Sequence, residues 1–333
     1  MVRYDIVGCG AVVERTHAPV INVLRERDDV AVAGCYDPNP RAARAIAETV
    51  GADRWGDRPE PRPDDGVHAV LVATPPDSHA EIADRYIRAG KSAFVEKAFT
   101  RTKEEAGRLV STAREAGVAV AVNQLLRYYP AIEAARAFLR AELDRVDSVH
   151  ATDGFRWDWA PASDYVVEDA YGGVIHDTGA HVVDTVLYLL GLDRDPDALA
   201  ARVEDLSKTP DAEPSQECRA RIQVDGGGRN ATVGFEVSRL RPLPRGVRVF
   251  GEFGALFVPL FAPAPILFRD GSALRVRDAE PTDKPDGILG CSLLAHRDFL
   301  RQVRDPSVRT RIDGERFLLQ MGILENLHAE TKR

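Results

Sequence analysis

The sequence predicts an α/β protein in which a doubly wound parallel-sheet unit is followed by an α+β unit. Three observations in the 333 residues carry that reading. Up to residue 122, short apolar strands alternate with amphipathic helices. After Asn123 the strands lengthen and alternate apolar with polar residues. A glycine pair, Gly8 and Gly10, stands between the first strand and the first helix. Near-continuous apolar strands separated by helices belong to a parallel sheet covered on both faces. Alternating strands belong to an antiparallel sheet with one face buried. The expected domains are therefore 1–122 and 123–333.

In the first half, strands are expected at 4–8, 30–36, 67–73, 92–95 and 118–122. Helices are expected at 11–27, 40–50, 78–90 and 103–117. Ser78 and Glu81 have capping-box spacing, and Gly90 is a helix stop. In the second half a connecting helix is expected at 131–143, and strands at 148–156, 216–224, 230–238, 247–250 and 255–258. One strong helix, 179–190, interrupts these strands, and two more close the chain near 293–304 and 314–331. The stretches 58–63 and 241–244 are proline-rich loops.

Hydrophobic residues at 44% and charged residues at 29% suit a packed, soluble chain. A net charge of −8 argues against a nucleic-acid binder, which needs a basic face to displace counterions. Cys9, Cys35, Cys218 and Cys291 form no CxxC pair and read as reduced structural thiols. No signal peptide is visible, and no run approaches the roughly 20 apolar residues that span a bilayer. The expectation is a cytoplasmic protein with no membrane partner.

The Gly8-Cys9-Gly10 turn follows a strand and opens a helix, the context in which GxG means dinucleotide binding. Gly8 permits the tight turn, and Gly10 lets the backbone approach a pyrophosphate at the helix N-terminus, with Ala11 and Val12 beside it. Val13 stands where a third glycine of GxGxxG would sit, which weakens the motif. Asp37 ends the second strand, where a carboxylate accepts from the adenosine ribose and repels a 2′-phosphate. That favours NAD over NADP, although Arg41 offers a counter-charge. An ordinary polar turn at 37–40 is the alternative.

Three further clusters fall where chemistry is expected. Thr74 and Pro75 follow a strand at the carboxyl edge of the sheet, where ligands of open α/β sheets bind. His79, just beyond, reads either as a cofactor-lining residue or as a solvated first-turn histidine. Glu96-Lys97 follows the next strand. A lysine there aims its ammonium into the crevice, though an isolated Glu-Lys pair is usually a solvated turn. Asp177 and His181 are four apart, so on a helix they share one face. Histidine moves protons near neutral pH, and a neighbouring carboxylate orients a hydroxyl or favours the imidazolium. The bland alternative is a helix-terminal carboxylate with a core histidine. A zinc site with His176 is a third, disfavoured by the lack of further ligands, so no metal is expected. Asp184 continues that side of the helix.

In this order, the segments GCGAVVERTHAP, ATPPDSHAEIA, VEKAF, RYYP and GGVIHDTGAHVVD resemble the glucose-fructose oxidoreductase/inositol dehydrogenase/rhizopine catabolism family, Gfo/Idh/MocA. The resemblance spans nearly the whole chain. It implies a Rossmann domain followed by a domain with a large, open, mostly antiparallel sheet, a bound NAD or NADP, and oxidation or reduction of sugars and cyclitols. It also implies pairing of those sheets into homodimers or homotetramers. Lys97 matches the lysine of the family's EKP motif, and Asp177 and His181 match the aspartate and histidine that surround the reacting carbon. Ala98 replaces the proline of EKP.

These readings combine into one expectation. The cofactor, NAD with NADP less favoured, is held by Gly8, Gly10, Ala11, Val12, Asp37, Thr74, Pro75, His79, Glu96 and Lys97. His181 exchanges the hydroxyl proton, Lys97 stabilises the developing alkoxide, and Asp177 orients the hydroxyl. Arg127, Trp157 and Tyr165 are further substrate candidates. Core packing for the aromatics, and an inter-domain ion pair for Arg127, are the alternatives. The rival functions are a dinucleotide-binding regulator without catalysis, and a redox-recycling epimerase or eliminase.

Overall fold

The computed structural model describes residues 1–157, 173–194, 199–207, 216–226, 229–262, 264–276 and 287–331. In chain order the elements are β1 (Val2–Val7), α1 (Ala18–Arg27), β2 (Val30–Tyr36), α2 (Pro40–Val50), β3 (Arg54–Gly56), β4 (Ala69–Val72), α3 (His79–Arg88), β5 (Ser92–Glu96), α4 (Lys103–Ala116), β6 (Val120–Asn123) and α5 (Pro130–Leu139). They continue with β7 (Val146–Gly154), α6 (Ala180–Leu190), β8 (Leu199–Ser207), β9 (Glu217–Gly226), β10 (Arg229–Ser238), β11 (Leu243–Gly251), β12 (Gly254–Pro259), β13 (Ile266–Arg269), β14 (Ser272–Arg275), α7 (Gly287–Arg304) and α8 (Leu318–Thr331). These form two compact units: Met1–Leu125 with Pro285–Glu315, and Leu126–Lys284 with Arg316–Arg333.

The first unit is built on a six-stranded sheet in the order β3-β2-β1-β4-β5-β6, parallel at every pairing. Every residue of β4, β5 and β6 is buried, as a sheet covered on both faces requires. Each fully buried Val or Leu there contributes roughly 1.5–3 kcal/mol. Strand order reverses at β1 and β4, so the crevice for a ligand opens at the carboxyl ends of those strands.

The helices carry their own boundaries. Asn39 caps α2 by accepting from the Arg41 N–H, Pro40 opens it, and Gly51 closes it at φ 60°. Thr102 and Glu105 form a complete capping box on α4. The box expected for α3 does not form: Ser78 makes no side-chain cap bond. Its hydroxyl lies instead 2.7 Å from Thr74 Oγ1 and 3.0 Å from the Pro75 carbonyl, because a 3₁₀ turn at Pro76–Ser78 bends it back onto the preceding loop.

The expected boundary at 122 needs a correction at the other end of the chain. Residues 285–315, assigned by sequence to the second domain, belong to the first unit. Helix α7 packs on α1 and β6, and Phe299 stacks on Phe94 of β5 at 4.9 Å. The amphipathic pattern of α7 called for a sheet to cover but named none. Position in the chain was therefore a poor guide.

The second unit is an eight-stranded sheet, β14-β13-β12-β11-β7-β10-β9-β8. It is antiparallel except where β7 and β10 run parallel. Strands β8, β13 and β14 were not anticipated. Helix α6 is buried at every position but its second, His181, packed among α5, α8 and β7. Among the described residues, no helix is long and apolar enough to cross a membrane.

Candidate active site

Gly8 sits at φ 89°, and a Cβ there would lie 2.5 Å from the Ala73 carbonyl group, so only glycine fits. A Cβ on Gly10 would meet nothing within 4 Å, so the turn faces open space, and Val12 is 39% exposed beside it. Val13, in place of the third glycine, is wholly buried and starts a π-helical turn, Val13–His17, ahead of α1. Asp37 closes the cradle. Its Oδ2 accepts the Cys9 N–H and its Oδ1 the Asn39 N–H, both at 2.8 Å. A glycine turn with open space in front, and a carboxylate pinned at the end of β2, fit an adenine dinucleotide.

The expected cofactor residues of the first unit lie along one edge of the sheet. Gly8 follows β1, Asp37 follows β2, Thr74 and Pro75 follow β4, and Glu96-Lys97 ends β5. In the stretch 91–100 every residue is buried except Lys97. Glu96 beneath it accepts from His17 Nε2 at 2.7 Å, from Asn123 Nδ2 at 2.6 Å and from the Lys97 N–H at 3.1 Å. Burial alone would raise the Glu96 carboxyl. The His17 and Asn123 bonds and the Lys97 charge outweigh it and hold it at about 2.

His79 is neither solvated nor exposed to a cofactor. It is wholly buried, with Nδ1 2.9 Å from the Ala98 carbonyl and Nε2 2.8 Å from the Thr74 carbonyl. Burial pushes its pKa down. It therefore braces the Thr74 loop against the segment after Lys97, whose Lys97–Ala98 peptide is cis. Glu96 likewise stands behind the edge rather than on it.

In the second unit, Asp177 lies in a π-helical turn, Ile175–Gly179, that leads into α6. The helix expected from sequence began only at 179, after Asp177. Between residues 173 and 190 every residue is buried except Asp177 and His181. Asp177 Oδ2 accepts from Arg239 Nη2 at 2.6 Å, and the Arg239 guanidinium lies 5.0 Å from the Trp157 ring. Trp157 thus joins the Asp177 cluster. Tyr165 falls outside the described residues. His176 points inward, edge-on to His328 at 5.5 Å. Among the described residues, no three His, Cys, Asp or Glu side chains are grouped to hold a metal ion.

Arg127 corrects a sequence expectation. It is 1% exposed, its Nε 2.9 Å from Asp184 Oδ2 and its Nη1 2.9 Å from Asp193 Oδ2. Burial disfavours its charge, but the two carboxylates hold it cationic. All three residues belong to the second unit, so these two ion pairs are made within it. Asp184, expected on the Asp177 side of the helix, is its buried partner.

Sequence reasoning missed four residues at these places: His17, Asn123, Arg239 and His296. His17 carried a signal, since it ends the GCGAVVERTH segment. Arg239 is 62 residues from Asp177 and His296 is 279 from His17, so nothing local announced them.

Fold and edge define the class: a Rossmann fold of the NAD-binding kind. The profile of that description, "Oxidoreductase family, NAD-binding Rossmann fold", matches residues 2–124. The "GFO/IDH/MocA C-terminal domain" matches residues 132–257. The chain belongs to the GFO/IDH/MocA family. It is 27% identical over 226 residues to scyllo-inositol 2-dehydrogenase (NAD(+)) of Bacillus subtilis (strain 168), 67% of this chain and 64% of that protein. Inositol 2-dehydrogenase of Rhizobium meliloti (strain 1021) is 31% identical over 192 residues, 57% of this chain and 55% of that protein. The chain thus spans less than two thirds of either relative. Among solved structures, the 3-ketoreductase KijD10 of Actinomadura kijaniata, in complex with NADP and TDP-benzene, gives a TM-score of 0.80 at 21% identity, covering 98% of this chain and 97% of that one. GenD2 from gentamicin A biosynthesis, in complex with NAD, gives 0.73 at 23%, covering 99% and 94%. At these identities the superpositions establish the fold.

Proposed function

We propose that the protein is an NAD-dependent oxidoreductase acting on a secondary alcohol or ketone of a sugar, nucleotide sugar or cyclitol, with Lys97, Asp177 and His181 as its reacting residues. One observation supports this most. Two long buried stretches, one in each unit, leave only these three side chains accessible. The names of the inositol dehydrogenases and the 3-ketoreductase similar to it point to the same substrate classes.

Gly8, Gly10, Ala11 and Val12 would hold the pyrophosphate, and Asp37 the adenosine ribose. The bound nicotinamide would supply the hydride acceptor or donor. Asp37 favours NAD because a 2′-phosphate would meet a carboxylate already held by two backbone N–H groups. His181 exchanges the substrate hydroxyl proton at its imidazole. The Lys97 ammonium stabilises the negative charge that develops on the same oxygen. Asp177, its carboxylate fixed by Arg239, orients the hydroxyl.

The test is reduced-nicotinamide absorbance during incubation with a panel of sugars and cyclitols, with NAD(H) and NADP(H) in parallel. His181→Ala and Lys97→Met are each expected to lose about 10²–10⁴-fold in turnover while NADH binding is retained. An His181→Ala enzyme with near-normal turnover would sink the acid–base assignment. No absorbance change with any compound in either direction would favour a regulator, and product without net absorbance change a recycled cofactor.

A further inference from the structure

A string of buried side chains in the first unit ends on the backbone of Lys97. It starts in α7, where His296 Nε2 lies 2.8 Å from His17 Nδ1. His17, on the turn after the glycine cradle, passes it on through Nε2 to Glu96 Oε1. Asn123, at the end of β6, donates to the same oxygen. The second oxygen, Glu96 Oε2, accepts the N–H of Lys97 itself. Both imidazoles are at most 2% exposed, and Phe94 meets them edge-on at 6.4 and 5.0 Å, which fixes their planes.

We propose that His17 and His296 are positioning residues for Lys97: they hold the Glu96 carboxylate, and Glu96 sets the backbone and ammonium of the lysine presented at the sheet edge. The interest of that placement rests on the proposed role of Lys97; the placement itself does not.

The chemistry of burial supports the string. An unpaired carboxylate in this interior would cost several kcal/mol, so Glu96 needs donors. The titratable groups facing it come from four places: His17 from the 13–17 turn, Lys97 from its own strand end, His79 from α3 and His296 from α7. Burial, with the neighbouring His17, keeps His296 far below its ordinary pKa and therefore neutral, so it engages His17 through one hydrogen bond rather than through charge. Both nitrogens of His17 are engaged, one with His296 and one with Glu96, as a buried imidazole requires. The string also explains why α7 folds back onto the first unit with a histidine on its buried face.

Isotope-labelled reductive methylation of the full chain gives a direct readout, because the sequence has six lysines and Lys97→Arg identifies one signal. In His17→Phe, the dimethyl-Lys97 resonance is expected to shift by more than its linewidth while the other lysines stay in place. His17→Gln keeps a side-chain N–H donor and is expected to return the resonance to its original position. An unmoved Lys97 signal in folded His17→Phe protein overturns the proposal. If His17→Phe does not fold, His296→Leu decides in the same way, with a smaller shift expected. Undiminished turnover in Lys97→Met would remove the catalytic reading of Lys97 and leave this readout standing.

Discussion

The Glu96 string of the first unit and the Arg127 cluster of the second are both buried assemblies of charge, and they are built differently. Arg127 is neutralised directly. Its guanidinium meets Asp184 and Asp193, Arg316 reaches Asp193 at 3.1 Å, and the guanidinium carbon lies over the Tyr188 and Phe317 rings at 4.8 and 4.3 Å. That cluster ties the 3₁₀ turn at Leu125–Tyr128 to α6 and to the turn after it. Glu96 is held by neutral-capable donors instead, and one of its oxygens is spent on the residue that emerges at the surface. The difference teaches that a buried charge is read by where its last hydrogen bond goes, inward to another charge or outward to an accessible side chain.

Three experiments would break or sharpen this contrast, beginning with the largest effect. Arg127→Met leaves two carboxylates without their cation and is expected to cost about 3–5 kcal/mol in urea unfolding. Adding Asp184→Leu is expected to recover part of that loss. An Arg127→Met protein of normal stability with weakened polyol binding would show that Arg127 is a ligand group after all.

Glu96 should make the first unit acid-sensitive. Its folded pKa of about 2 lies below the ordinary 4.5, so its contribution is present above pH 4.5 and is lost as pH falls toward 2. A shift of that size corresponds to about 3 kcal/mol. Glu96→Gln is therefore expected to flatten the decline of unfolding free energy below pH 4.5; an unchanged slope would mean the string carries little energy.

Asp5 should behave in the opposite sense. Burial raises it from 3.8 to about 6, against the Tyr86 hydroxyl at 2.8 Å and Arg54 at 3.4 Å. A raised acid stabilises the fold fully below about pH 3.8, and that contribution is lost as pH rises through about 6. Asp5→Asn keeps an acceptor for Tyr86 and is expected to gain up to about 3 kcal/mol at pH 8 and almost nothing at pH 4. Equal effects at both pH values would mean that Asp5 is not held protonated.

How much was legible beforehand follows from the range of each signal. Gly8 and Asp37 follow strands β1 and β2 directly, where the sequence put a turn and a strand end. Ser78 has the same local pattern as Thr102, yet a 3₁₀ turn that the pattern does not encode took its hydroxyl elsewhere. Arg127 and Lys97 were both sequence candidates, Lys97 on the EKP motif and Arg127 as a further substrate contact. Their burial differs: 1% exposure for Arg127 against the one accessible residue of 91–100.

The sequence by itself determined a parallel sheet covered on both faces followed by an antiparallel one, and the glycine turn, because periodicity and short motifs are local properties. The lysine, aspartate and histidine proposed to react came from the family resemblance. Tertiary structure decided which carboxylates and imidazoles are buried together, that α7 belongs to the first unit, and that His296 stands behind Lys97. Those partners are up to 279 residues apart, and long-range packing alone sets which charged groups lose water and must find each other.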